Sequence, residues 1–178
     1  MASKQQTSQQ LKVNPEHELN ILHRRGRWIE NRLTELEEIL TAAPLDRVII
    51  HGDYGPYNLL FKNGSPVVVI DFELARLDWR LTDLAYSMIT FTRNRLGFQQ
   101  KKMRQFIQAY QSASKLEAEQ LDYLPLVWEY LSLRRLTVCW RRALDTGQKS
   151  WLVEALDRLQ MIDWIAVHKD DMLKMITR

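Results

Sequence analysis

Three oxygen-bearing side chains stand out by type and spacing: Asp53, Asn58 and Asp71, within Val48-Ile49-Ile50-His51-Gly52-Asp53-Tyr54-Gly55-Pro56-Tyr57-Asn58 and Ile70-Asp71-Phe72-Glu73. Asn58 and Asp71 offer amide and carboxylate oxygens, the donors that Mg²⁺ prefers, and Mg²⁺ commonly takes the rest of its shell from water and substrate phosphates. Asp53 is then free to orient a hydroxyl nucleophile and accept its proton. That combination suits phosphoryl transfer, where the protein positions the reactants and neutralises charge.

The intervening chain supplies a way to bring the three together. Leu59 to Phe61 and Val67 to Ile70 are short apolar runs on either side of Asn63-Gly64, a strong hairpin-turn signal. A hairpin folds its outer ends side by side, which places Asp71 beside Asp53 and Asn58. Taken singly, the Gly-Pro and Asn-Gly pairs are ordinary turn punctuation, and an Asp in a turn most often bonds its own backbone. The conjunction of spacing, hairpin and second aspartate carries the reading.

An Asp, four residues, an Asn, a hairpin and then Asp-Phe is also the order of the catalytic and metal loops in the protein-kinase-like fold. With His51-Gly52-Asp53 and Asp71-Phe72-Glu73, followed by Asp83-Leu84-Ala85, the chain resembles the aminoglycoside phosphotransferase and choline kinase group of small-molecule kinases. The resemblance implies that Asp53 is the catalytic base and that Asn58 and Asp71 are metal ligands. It also implies that Asp83 braces the catalytic loop from behind, that His51 is structural, and that ATP is the phosphate donor. The expected partner is a small molecule bearing a hydroxyl group.

The rest of the chain reads as helices. Residues 1–14 are a polar, glutamine-rich leader without periodicity, expected to be disordered. Residues 15–178 form one lobe. Glu16 to Arg25 reads as a short helix broken near Gly26, and Trp28, Ile29, Leu33, Leu36, Ile39 and Leu40 recur as the buried stripe of a second helix that Ala42-Ala43-Pro44 ends. Everything after Asp71 reads as helical: Leu81 to Thr92, Gln99 to Ser112, Pro125 to about Leu144, and a last helix with Ser150 as N-cap. Trp128, Tyr130, Trp140 and Trp164 are expected in the core rather than in a substrate cleft. The fold class is therefore α+β, mostly α-helical: a kinase-like C-terminal lobe with one β-hairpin carrying both loops.

The chain departs from the family at its N-terminal side. Upstream of His51 the only lysines are Lys4 and Lys12 and the only glycine is Gly26, so the strand lysine and phosphate-covering loop of an ATP-binding lobe are not evident. The expectation is a partial enzyme, weak alone, that works with a separate N-terminal lobe or survives as a protein-binding module that self-associates through the exposed lobe contact.

Composition narrows the classes. At 178 residues, 46% hydrophobic and 26% charged, with no apolar run able to span a bilayer and no secretory start, the chain reads as a cytoplasmic globular domain. The single cysteine, Cys139, permits no internal disulfide and reads as a buried small hydrophobe. A net charge of +3 is too small to argue for nucleic acid. A two-metal phosphoesterase would need more His and Asp ligands than lie near the loop. Arg76, Arg80, Arg93, Arg95 and Arg104, with Arg134, Arg135, Arg141 and Arg142, read first as solvated helix faces. Any that face the cleft favour a neutral or anionic acceptor over a polycation, with homoserine, a sugar or an amino alcohol open.

Overall fold

The computed structural model describes residues 15–94 and 97–176. The leader and Arg95 lie outside the described residues. The architecture is mostly helical with three small antiparallel strand pairs, an α+β arrangement.

Helix α1 (Pro15–Ala42) runs unbroken through Gly26, so the expected break does not occur. Its reason is tertiary. A Cβ at Gly26 would lie 3.2 Å from the Trp140 ring, and the missing side chain lets α1 approach α5 (Leu124–Thr146). Leu22, Ile29, Leu36 and Leu40 are fully buried against α5 and α6 (Lys149–Ile176). Two ion pairs fix the packing: Arg32 forks onto Glu129 through Nε and Nη2, each at 2.7 Å, and Arg25 Nη1 donates to both oxygens of Asp163 at 2.9 and 3.0 Å.

Pro125 lies in the first turn of α5 as expected, and Gly147 ends that helix in the left-handed region at φ 66°, its N–H donating to the Ala143 carbonyl at 3.0 Å. The next helix begins at Lys149, so Ser150 lies inside its first turn and is not its cap. Trp128, Tyr130, Trp140 and Trp164 all belong to the core or pack against it, and Cys139 is buried. No helix of the described residues is long and apolar enough to cross a membrane.

The β-structure is richer than one hairpin. Strand β1 (Arg47–Ile50) pairs antiparallel with β4 (Arg76–Trp79), and the hairpin β2 (Leu59–Lys62) and β3 (Ser65–Val69) lies between them in sequence. A two-residue pair, β5 (Arg93–Asn94) and β6 (Gly97–Phe98), follows α2 (Arg80–Thr92) and precedes α3 (Gln100–Ala113) and the short α4 (Ala118–Leu121). The expectation that all is helical beyond Asp71 fails at β4. Arg76-Leu77-Asp78-Trp79 alternates with period two for only four residues, and pairing with β1 decides it.

The hairpin turn is as expected, with Asn63 at φ 52° and Gly64 at φ 81°. Apolar side chains stand exposed on every strand around it. Ile49 and Leu77 oppose each other across β1 and β4 at 74% and 55% exposure, and Leu60 and Val68 do so across the hairpin.

Candidate active site

Strands β1 and β4 deliver the two halves of the site. Strand β1 runs directly into His51-Gly52-Asp53, and β4 runs directly into α2, whose first turn carries Asp83. The Asp83 carboxylate accepts both loop amides, His51 N–H at 2.6 Å and Gly52 N–H at 2.9 Å. Ser87 and Thr90 donate to the Tyr54 carbonyl at 3.1 and 3.4 Å. Asp83, Ser87 and Thr90 share one face at helical spacing, so a single rigid helix holds the loop at several points.

Gly52 is required where it stands. Its φ is 83°, and a Cβ there would meet the Leu74 carbonyl oxygen at 2.4 Å and Arg76 Nη1 at 2.7 Å. Gly64 has a similar φ but nothing within 4 Å. Gly64→Ala therefore carries only the left-handed backbone cost, about 1–2 kcal/mol, while Gly52→Ala adds a backbone clash and is expected to cost roughly 2–3 kcal/mol. Thermal unfolding of the two variants tests this, and equal losses would rule out the close approach.

His51 is buried and joins the two loops. Its Nε2 lies 2.9 Å from the Ile70 carbonyl and its Nδ1 lies 3.3 Å from the Asp53 N–H. A carbonyl only accepts and an N–H only donates, which assigns the proton to Nε2. The Phe72 ring packs on the imidazole with centroids 4.6 Å apart.

Asp53 is engaged at both oxygens. Asn58 Nδ2 donates to Oδ2 at 3.1 Å and to the Asp53 carbonyl at 2.8 Å, while the Tyr57 hydroxyl donates to Oδ1 at 3.0 Å. Using its amino group in this way leaves Asn58 Oδ1 without a protein donor among the described residues. On the far side of the hairpin the Ile70 N–H donates to the Asn58 carbonyl at 3.0 Å, and Leu59 pairs with Val69. Asp71 follows immediately, held at φ 67° and ψ 60°. A left-handed aspartate is uncommon, and such backbone strain clusters at functional sites.

Asn58 Oδ1 and the Asp71 carboxylate are hard oxygen donors and fit a Mg²⁺ ion that draws its remaining ligands from water and phosphate. Among the described residues no group of three or more His, Cys, Asp or Glu side chains is placed to hold a metal.

Sequence reasoning missed the phenols. Tyr86 on α2 lies 2.7 Å from the Tyr57 hydroxyl, and since Tyr57 donates to Asp53, Tyr86 donates to Tyr57. Both phenols are pushed above the usual tyrosine range, chiefly by burial; the Asp53 carboxylate also raises both, while Tyr86 lowers the Tyr57 value. The available signal was a polar stripe, Asp83, Tyr86, Ser87 and Thr90, within an otherwise apolar helix. Of the arginines that sequence singled out, Arg93 forms a fork with Asp157 at 2.5 and 2.6 Å, Arg76 pairs with Asp78, and Arg80 bonds Tyr110 and Ser114.

The model of the phosphotransferase enzyme family (APH) matches residues 3–119, and the chain belongs to that family. The match takes in both loops and Asp83 and stops before α5 and α6. No curated protein matches the sequence.

Proposed function

We propose that the chain is the helical C-terminal lobe of a kinase-like enzyme that transfers the γ-phosphoryl group of ATP to a hydroxyl of a small molecule, in the cytoplasm where ATP is supplied. The observation that carries this reading is the Asp53 carboxylate, fixed at one oxygen by Asn58, whose backbone carbonyl in turn accepts from Ile70, the residue before Asp71. Asp53 takes the acceptor's proton as its oxygen attacks phosphorus. Asn58 and Asp71 hold Mg²⁺, which when bound neutralises the phosphate charge. Asp83 and His51 hold the loops in register, and neither touches the reactants.

Family membership supports the reaction type, and the loop geometry supports the assignment of residues. The exposed apolar strands support a further element of the proposal: an ATP-covering lobe packs against Ile49, Leu77 and the hairpin, since large apolar patches mark interaction surfaces. Without that cover the chain binds Mg·ATP weakly and turns over little.

Calorimetric titration with Mg·ATP tests the site directly. Asp71→Asn is expected to weaken binding by about tenfold or more, since it removes a charged ligand from the cation. Equal affinity in wild type and Asp71→Asn would refute the metal assignment. Adding a separately expressed upstream lobe should restore phosphorylation of a hydroxyl acceptor, and silence across all candidates would count against the enzyme reading.

A further inference from the structure

At the end of the β1–β4 ladder away from the catalytic loop lies a cavity of about 300 Å³, bounded by the end of α1, the strand pair, the first turn of α2 and α5. The register sets its distance from the candidate active site. Arg47 and Trp79, which line the cavity, pair three residues before Ile50 and Arg76, the pair that leads into His51. At about 3.4 Å per residue that is roughly 10 Å along the strands. The cavity therefore stands apart from Asp53 and from any role assigned to it.

Its lining carries polar groups that the fold leaves unmatched. Thr82 is only 3% exposed, and its Oγ1 is buried without a hydrogen-bond partner, an arrangement that native structures rarely tolerate without a reason. Among the lining charges, Asp78 is already satisfied, by Arg76 at 2.8 and 3.0 Å and by the Trp79 N–H at 2.8 Å. The others are not. Arg47 has one long contact, 3.4 Å to the Leu77 carbonyl, and Arg134 lies over the Tyr130 ring at 5.7 Å. Neither of these guanidiniums, nor the Glu37 carboxylate, forms an ion pair among the described residues. The apolar part of the lining is Trp79, edge-on to Tyr130 at 5.8 Å, with Leu45 and Leu131.

We infer that this cavity binds a small zwitterion, an α-amino acid with an apolar side chain, whose carboxylate meets Arg47, Arg134 and the Thr82 hydroxyl while its ammonium meets Glu37. A simple anion would leave Glu37 unmatched beside it, a simple cation would face two guanidiniums, and an uncharged ligand would desolvate all three charges for nothing. The volume is at the lower limit of ligand pockets, which restricts the occupant to a small molecule. Its place in the fold gives it reach. Thr82 is the residue before Asp83, so the ligand touches the helical turn that holds the His51 and Gly52 amides.

The test titrates the full chain with L-leucine and with its two halves: 4-methylpentanoate, which lacks the ammonium, and 3-methylbutylamine, which lacks the carboxylate. The set is repeated with L-phenylalanine and its halves. Calorimetry gives affinities, and the Trp79 and Tyr130 ring resonances give the location. At least one amino acid is expected to bind about tenfold or more tightly than either of its halves, each of which forfeits a charge-assisted contact. Arg134→Met should weaken the amino acid and the carboxylate by about tenfold and leave the amine unchanged, while Glu37→Gln should erase the preference for the amino acid over the carboxylate. Both positions are exposed, so neither change threatens the fold. Thr82→Val keeps the buried shape and removes the hydroxyl; the free chain should melt no lower than wild type and bind the amino acid about fivefold more weakly. Binding of no probe overturns the inference, as does a half that binds as tightly as its whole. So does wild-type affinity for the amino acid in Arg134→Met, Glu37→Gln or Thr82→Val. Shifts at Tyr57 and Tyr86 in place of Trp79 and Tyr130 would put the ligand at the candidate active site and overturn it equally.

Discussion

Asp53→Asn is expected to lower phosphoryl transfer by about 10²–10⁴-fold while Mg·ATP affinity stays within about twofold of wild type, as removal of a general base does. The substitution keeps the shape of the side chain and removes its capacity to take a proton. It also disturbs little else. An Asn at this position still presents one oxygen to Asn58 Nδ2, and its amino group then faces Tyr57, whose hydroxyl turns from donor to acceptor. That turn costs the Tyr86 to Tyr57 bond its present direction, a loss of about 1 kcal/mol, which unfolding would register as a small shift. The measurement is single-turnover transfer from labelled ATP to a hydroxyl acceptor, with an upstream lobe added where the chain alone is silent. A rate within about threefold of wild type would remove Asp53 from the chemistry, because no proton-transfer role is worth so little.

Tyr57→Phe is a useful companion to that measurement. It leaves the base in place and removes the donor to Oδ1, so any loss it causes belongs to orientation and not to proton transfer.

What was legible in the sequence follows from how local each signal is. The β2–β3 hairpin is written in two apolar runs and Asn63-Gly64, where the turn demands positive φ at both residues. The helices α2, α3 and α5 are each written in their periodicity, and Pro125 and Gly147 punctuate the last of them. Strands β1 and β4 are four residues each and lie 29 positions apart between Arg47 and Arg76; their pairing is a long-range event that no window of sequence contains. Gly26 misled for the same reason, since its neighbour in space is Trp140 on another helix.

The site divides along the same line. Asp53, Asn58 and Asp71 were visible because two short loops and a hairpin carry them. Tyr57 was in plain view next to Asn58 but has no distinctive spacing, and its role emerges only when Tyr86 arrives from α2. Helix faces that bring charge to a loop are read from packing, and packing is what a one-dimensional pattern specifies least.

Asp83→Ala is expected to destabilise the fold by roughly 2–6 kcal/mol, the summed cost of two buried donors left without an acceptor at about 1–3 kcal/mol each. The two donors are the amides of His51 and Gly52, and His51 is only 7% exposed, so water does not readily replace the carboxylate. Gly52 cannot turn its N–H elsewhere, because its positive φ and the Leu74 carbonyl against it fix the peptide. Asp83→Asn keeps one acceptor oxygen and should lose about half as much. Asp145→Ala, which removes an exposed carboxylate in the last turn of α5, should stay within about 0.5 kcal/mol and serves as the control. Denaturant unfolding gives the energies, and amide hydrogen exchange gives the location: protection should fall first at His51 and Gly52 in the Ala variant. The damage reaches the chemistry through the same two bonds. They hold the peptide that ends in Asp53, and a displacement of about 1 Å there is enough to cost about 10²-fold in rate. If Asp83→Ala and Asp83→Asn were equally stable, the paired amide contacts would not be what holds the loop, and the support would have to come from His51 and from Ser87 and Thr90 at the Tyr54 carbonyl.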